Sequence, residues 1–123
     1  MSTPIGLWAT YTISLDGVLH LAPRGSEHVA CASGKPVLGA GELLVGEGEI
    51  IELTNNSTGY CPDASCWSAV KAAVESAGIE HPGRFTFEAV FRRCEACGER
   101  NLVKEQWFEC ALCGADLPES YNF

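Results

Sequence analysis

Alternating apolar and polar residues predict two β-hairpins in the first half of the chain. Residues 8–15 alternate and are rich in β-branched and aromatic side chains, and residues 18–22 continue the pattern. Asp16-Gly17 stands between them and favours a tight hairpin turn, since both positions of such a turn need positive φ. Residues 41–45 and 49–53 flank a Gly-Glu-Gly segment and predict a second hairpin.

The region after the second hairpin predicts the main helix. Apolar side chains recur every three or four residues from Trp67 to Ala77, so one helix face can pack on a sheet. Asp63 before this segment and Gly78 after it are typical capping residues. We therefore predict a helix over residues 64–77. Further along, three phenylalanines at even spacing within residues 85–93 favour a strand.

Four of the seven cysteines form two Cys-x-x-Cys-Gly steps, at Cys94, Cys97, Cys110 and Cys113. Two cysteines three positions apart bring both sulfurs to one metal ion where the backbone turns tightly, and the following glycine permits that turn. The alternative is a redox pair, but a redox Cys-x-x-Cys step normally occurs once, next to a βαβ unit. The paired steps predict a structural Zn²⁺ site with four thiolates and no open position for a catalytic water.

These steps resemble the knuckles of rubredoxin-like zinc ribbons, and the resemblance covers residues 90–117. It implies metal binding and no particular activity. Between the knuckles, residues 101–103 and 107–109 are expected to pair as two short strands.

The predicted fold class is α+β: a β-rich small domain with one main helix packed on an antiparallel sheet, plus a C-terminal zinc ribbon. We expect residues 1–84 to form the β-rich module, with its helix at residues 64–77. Residues 85–123 are expected to form the zinc ribbon and the C-terminal tail. The aromatic residues at the end of the tail are expected to pack back on the core.

A second resemblance lies upstream, in residues 27–74. This segment resembles a module at the C-terminal side of plant IQ-motif calmodulin-binding proteins and in some bacterial toxin-like proteins, whose turn reads Ser-Gly-His-Tyr-x-Pro. Ser57, Tyr60 and Pro62 match that turn, whereas Thr58-Gly59 stands where the module has Gly-His. The whole chain resembles small bacterial proteins that join this module to a zinc ribbon, and this resemblance implies an architecture without implying a mechanism.

Cys61 is the candidate nucleophile, with His28, Ser57 and Tyr60 as candidate partners. A helix N-terminus lowers the pKa of a nearby thiol, and a Cys/His pair is a known nucleophilic arrangement. The other interpretation is a helix-entry turn in which Cys61 is a small buried residue. Cys31 and Cys66 are interpreted as structural, because no knuckle spacing joins them to a second metal site.

Composition limits the class of partner. The net charge is −8, whereas nucleic-acid binding requires a positively charged surface. One basic cluster, Arg84, Arg92, Arg93 and Arg100, lies near aromatic residues in the ribbon, but glutamates alternate with it. We keep a nucleic-acid-binding ribbon as an alternative, and a mixed-charge solvated surface as the simpler interpretation.

The N-terminus shows no signal peptide and the chain no membrane-length apolar run, so a cytoplasmic protein is expected. The leading hypothesis is a zinc-binding protein, not an enzyme, that serves as a protein- or ligand-binding module. A small enzyme using the 55–61 turn is the alternative. The partner, the ligand and the oligomeric state are left open by the sequence.

Overall fold

The computed structural model describes residues 6–123. Its main sheet has four antiparallel strands in the order β2-β1-β3-β4. Their bounds are Leu7–Ser14 for β1, Leu19–Pro23 for β2, Val37–Gly46 for β3 and Glu49–Leu53 for β4. Both predicted hairpins are confirmed as β1–β2 and β3–β4, and the pairing of β1 with β3 joins them into one sheet. The first turn differs from the predicted one, because only Gly17 has positive φ, 81°, and Ser14 N–H closes a three-residue turn on Val18 O at 3.0 Å. A one-turn helix, α1 (His28–Cys31), connects β2 to β3.

The main helix packs on one face of this sheet. A 3₁₀ turn (Ala64–Cys66) leads into α2 (Trp67–Ser76), close to the predicted bounds. The helix buries Val70, Ala73 and Val74 against Tyr11, Ile13 and Leu43 of the sheet. Gly39 of β3 permits this approach, because a Cβ at that position would lie 2.8 Å from Val70 Cγ2. The α+β class is thus confirmed: one main helix on an antiparallel sheet, followed by a C-terminal cysteine cluster.

The second sheet differs from the prediction. Strands β5 (Val90–Arg93) and β6 (Arg100–Val103) pair with each other, so residues 107–109 are not the partner of residues 101–103. The first knuckle connects β5 to β6, so the strands on either side of it pair with each other. The residues on either side of the second knuckle also bond to each other, with Leu117 N–H donating to Phe108 O at 2.9 Å.

The segment predicted as one strand over residues 85–93 is a strand only at its end. Phe85 is buried in the main core, where its ring meets Trp67 edge-on at 5.2 Å. Thr86 N–H donates to Leu53 O at 2.8 Å, so this stretch lies along β4 before the chain enters β5.

The C-terminal tail packs back on the protein, as expected. Tyr121 Oη donates to Cys61 O at 2.6 Å. The Asn122 side chain pairs with the backbone of Arg93, accepting from its N–H at 2.8 Å and donating to its carbonyl at 2.7 Å. Among the described residues the longest helix has ten residues, too short to cross a membrane.

Candidate metal centre

The structure gathers the sulfurs of Cys94, Cys97, Cys110 and Cys113 into one cluster, with all four Sγ atoms within 4.8 Å of one another. The Sγ atoms of Cys94 and Cys113 are 3.5 Å apart, and those of Cys97 and Cys110 are 3.7 Å apart. Four thiolates at about 2.3 Å from a tetrahedral metal would be separated by about 3.8 Å. The cluster can therefore hold a metal ion with little adjustment.

Both knuckles share one backbone pattern. Gly98 N–H donates to Cys94 O at 2.8 Å, and Gly114 N–H donates to Cys110 O at 2.9 Å. Both glycines have positive φ, 81° and 78°, which residues with a Cβ rarely adopt. The repeated Cys-x-x-Cys-Gly step is therefore the local cause of two matching turns.

Within each knuckle the first sulfur is the buried one. Cys94 and Cys110 are 1% and 2% exposed, whereas Cys97 and Cys113 are exposed. Hydrogen bonds from the Cys113 N–H and from the Asn101 amide lower the pKa of Cys110 to about 6. A hydrogen bond from the Cys97 N–H likewise lowers the pKa of Cys94. A backbone N–H of the same knuckle thus stabilises the thiolate form of each buried sulfur.

Asn101 links the two knuckles, and the sequence analysis did not identify it. Its Nδ2 donates to Glu99 O at 3.1 Å and lies 3.5 Å from Cys110 Sγ, while its Oδ1 accepts from Ala111 N–H at 2.9 Å. The side chain is 6% exposed. A single buried amide thus ties the first knuckle, through Glu99, to a sulfur and a backbone group of the second. Its place between the two cysteine steps puts it near the cluster in sequence but does not predict which groups its amide contacts.

Cys61 lies in a different environment. Its side chain is 1% exposed and packs with Ala89 and Phe91, and its Sγ donates to Thr58 O at 3.3 Å. Burial raises the pKa of the Cys61 thiol, although Arg100 and Arg93 act in the opposite direction. The Cys61 N–H also donates to Ser57 O at 2.7 Å, so the thiol and the backbone of Cys61 both bond within the 57–61 turn.

His28 lines a cavity of about 500 Å³ together with Asn56, Thr58 and Gly59 of the 55–61 turn. His28 Nε2 lies 2.8 Å from Gly41 O, and since a carbonyl only accepts, Nε2 is the donor. The cavity is completed by residues 25–29 and Glu42. The structure therefore places His28 and the 55–61 turn at the same cavity.

The other candidate partners do not line this cavity. Ser57 is buried and its Oγ accepts from Tyr60 N–H at 3.2 Å, while Tyr60 Oη donates to Lys35 O. Cys31 Sγ contacts Thr12 Oγ1 at 3.6 Å on one sheet face. Cys66 packs against the main core, where burial raises its pKa to about 11. Among residues 6–123, no metal-binding group gathers around Cys31, Cys61, Cys66 or His28.

The basic cluster is largely engaged within the protein. Arg92 is 9% exposed and donates to the carbonyls of Phe91, Pro118 and Glu119. The Arg93 guanidinium lies 5.1 Å from the Phe123 ring centre. Arg100 donates to the carbonyls of the 58–59 turn. These contacts hold the tail and the turn against the ribbon.

Comparison with protein-family models, curated proteins and solved structures finds no match for this chain. The metal centre accordingly rests on its own geometry and donor chemistry.

Proposed function

We propose that the protein is a small zinc-stabilised binding module. In this proposal Cys94, Cys97, Cys110 and Cys113 hold one structural Zn²⁺, and the cavity beside His28 binds a partner protein or ligand. The gathering of four thiols into one tetrahedron-sized cluster is the observation that carries the proposal.

The donor set supports zinc. Four cysteine sulfurs with no oxygen or nitrogen donor are the ligands of structural zinc sites, and four protein ligands close the coordination sphere. A closed site supplies folding free energy to the ribbon, residues 90–117, in place of a large apolar core. In the part of the chain that the structure describes, the core cluster around these cysteines has one further buried residue, Leu117.

The ribbon supports the wall of the cavity. Arg100 begins β6, directly after the first knuckle, and its Nη1 donates to Gly59 O at 3.1 Å and reaches Thr58 O at 3.5 Å. Thr58 and Gly59 line the cavity. The first knuckle positions the start of β6, and Arg100 is the first residue of that strand. The Arg100 side chain therefore connects metal binding to the shape of the cavity wall.

Charge indicates the class of ligand. Glu27 and Glu42 line the cavity, and no lysine or arginine does. The ion pair found among residues 6–123 joins His81 to Glu75, so neither cavity carboxylate has a cationic partner in that part of the chain. A basic side chain of a partner protein, carrying an ammonium or guanidinium group, fits this lining and the net charge of −8.

Two measurements test the proposal separately. Native mass spectrometry of the purified chain is expected to show one zinc ion per chain, and a metal-free folded chain would contradict the zinc assignment.

Titration of the zinc-loaded protein with short lysine- and arginine-containing peptides, followed by NMR, is expected to shift the amide signals of residues 25–29 and 56–59. Glutamate-containing peptides of equal length and the Glu42→Gln variant serve as controls. Equal shifts with both peptide classes, or none, would contradict the cationic ligand and leave the zinc result standing.

A further inference from the structure

A second cavity lies at the start of the main helix. Its walls come from the beginning of β3, from residues 60–69, which lead into α2, and from the C-terminal tail. Its volume is about 370 Å³, and pockets that hold small molecules measure about 300–1,000 Å³. It shares no lining residue with the cavity beside His28, so the two are separate candidate sites.

Asp63 gives this cavity its charge. Among the described residues that line it, none is a lysine, an arginine or a histidine, and Asp63 is the one carboxylate. An aspartate at the start of a helix usually caps it, but Asp63 makes no side-chain capping hydrogen bond. The ion pair found among residues 6–123 joins His81 to Glu75. The negative charge of Asp63 is therefore available to a ligand.

The two tyrosines of the cavity offer only acceptor oxygens. Tyr60 Oη donates to Lys35 O at 2.5 Å, and Tyr121 Oη donates to Cys61 O at 2.6 Å. A phenol has a single proton to donate, so each Oη has only lone pairs left for a ligand. The same two hydrogen bonds fix the rings in place before any ligand binds.

The field of Asp63 reaches the other polar groups of the cavity. Burial raises the pKa of the Tyr121 hydroxyl and raises the pKa of the Cys66 thiol to about 11, and the Asp63 carboxylate raises both further. Arg92 acts more weakly in the opposite direction on Tyr121. Tyr121 and Cys66 thus stay neutral at pH 7. A field that opposes a second negative charge favours a positive one.

We propose that this cavity binds a small primary amine as its ammonium ion. An ammonium group has three N–H donors and no acceptor, and so complements the Asp63 carboxylate and the acceptor oxygens of Tyr60 and Tyr121. Tyrosine rings also attract cations through their faces. The apolar part of the amine packs against Val37 and Leu38 at the start of β3, where Leu38 is 41% exposed.

Two other classes of ligand do not match the lining. A carboxylate or phosphate ligand would meet the charge of Asp63 without any cationic side chain in the cavity to offset it. A metal ion needs several donors close together, and among residues 6–123 no group of three such donors includes Asp63 or Cys66. The lining therefore selects an organic cation.

Titration of the zinc-loaded full chain with n-butylammonium chloride, followed by NMR, tests the site. The amide signals of residues 37–38, 63–69 and 121 are expected to shift to saturation. Sodium butyrate and n-butanol have the same chain length without the positive charge, and they should bind about tenfold more weakly or less. Equal affinity for the three probes, or no saturable shift with millimolar butylammonium, would overturn the proposal. So would shifts confined to residues 25–29 and 56–59, which belong to the cavity beside His28.

A charge-removing variant tests the role of Asp63. Asp63→Asn keeps the shape of the side chain and is expected to lower the affinity for butylammonium about tenfold. The fold should persist, because the carboxylate makes no capping hydrogen bond, and circular dichroism checks this. Asp116→Asn, the same change at an exposed residue outside the cavity, should bind as the parent chain does. Unchanged affinity in the Asp63 variant, or equal losses in both, would contradict the assignment.

A lysine side chain carries the same ammonium group on a four-carbon stem, so one further probe separates a free amine from a partner protein. The blocked tripeptide acetyl-Gly-Lys-Gly-amide is expected to bind no more tightly than n-butylammonium, since its backbone adds no contact inside the cavity. Tighter binding of the peptide at residues 37–38 and 63–69 would overturn the small-amine assignment in favour of a protein ligand.

Discussion

Asn55 and Ala89, 34 residues apart, are joined by two hydrogen bonds that imitate strand pairing. Ala89 N–H donates to Asn55 Oδ1 at 2.6 Å, and Asn55 Nδ2 donates to Ala89 O at 2.9 Å. Asn55 is fully buried. The pair fixes the chain just before β5 against the turn that follows β4, and so connects the cysteine-bearing segment to the main sheet.

Replacing Asn55 with alanine is expected to lower the free energy of unfolding by about 2–4 kcal/mol, because two buried backbone groups of Ala89 lose their partner. Urea denaturation followed by circular dichroism measures the change. Asn56→Ala, one position on, is the control and is expected to cost less than about 1 kcal/mol, since within residues 6–123 only the backbone N–H of Asn56 forms a hydrogen bond, to Thr54 Oγ1. Equal losses for the two variants would contradict a specific role for the Asn55–Ala89 pair.

Removing one candidate ligand is expected to unfold the ribbon. Cys97→Ser should lose bound zinc, lower the Tm by about 10 °C or more, and abolish hydrogen-exchange protection in residues 90–117. Cys31→Ser, a change of the same type outside the cluster, should retain one zinc ion per chain. Retention of zinc and of ribbon protection by the Cys97 variant would refute the assignment of that ligand.

Asn101→Ala is expected to weaken zinc binding about 10–100-fold while leaving all four thiols in place, because outer-shell hydrogen bonds orient metal ligands. Competition against a chromophoric chelator measures the affinity. Asn122→Ala removes a comparable pair of hydrogen bonds from the tail without touching a sulfur, and its zinc affinity should match that of the parent chain. If both variants lose affinity equally, the effect of Asn101 is one of general stability.

Arg100→Met is expected to loosen the cavity wall and to leave the overall fold nearly unchanged. The side chain is exposed, so the free energy of unfolding should fall by about 1 kcal/mol or less. Amide exchange at residues 58–61 should nevertheless rise, since Thr58 and Gly59 lose their hydrogen-bond donor. Arg84→Met, also exposed, is the control. If exchange at these amides is unchanged in the Arg100 variant, the claim that the ribbon stabilises the cavity wall is contradicted.

Tyr11 is expected to make stability fall at alkaline pH. Burial raises the pKa of Tyr11 well above its usual value of 10.0, and its hydroxyl donates to Thr54 O at 2.6 Å. Above about pH 10 the unfolded chain loses this proton while the folded chain keeps it, so the free energy of unfolding declines as pH rises. Tyr11→Phe should be less stable at pH 8 but show a shallower decline between pH 10 and 11.5 in urea titrations. Parallel declines would contradict the assignment.

By itself the sequence determined the features that short stretches of chain control. Asp16-Gly17 specified the first hairpin, the spacing from Trp67 to Ala77 specified the helix, and two Cys-x-x-Cys-Gly steps specified two knuckles. In each case the interacting groups lie within a few residues, so their geometry follows from local backbone preferences.

Only the tertiary structure decided how these parts meet. It paired β6 with β5 in place of residues 107–109, buried Cys61, and placed His28 beside the 55–61 turn. It also gave Asn55 and Asn101 their roles as buried connectors. An asparagine has no periodic or spacing signature of its own, because its partners are backbone groups that come within reach only when distant segments of the chain have packed together.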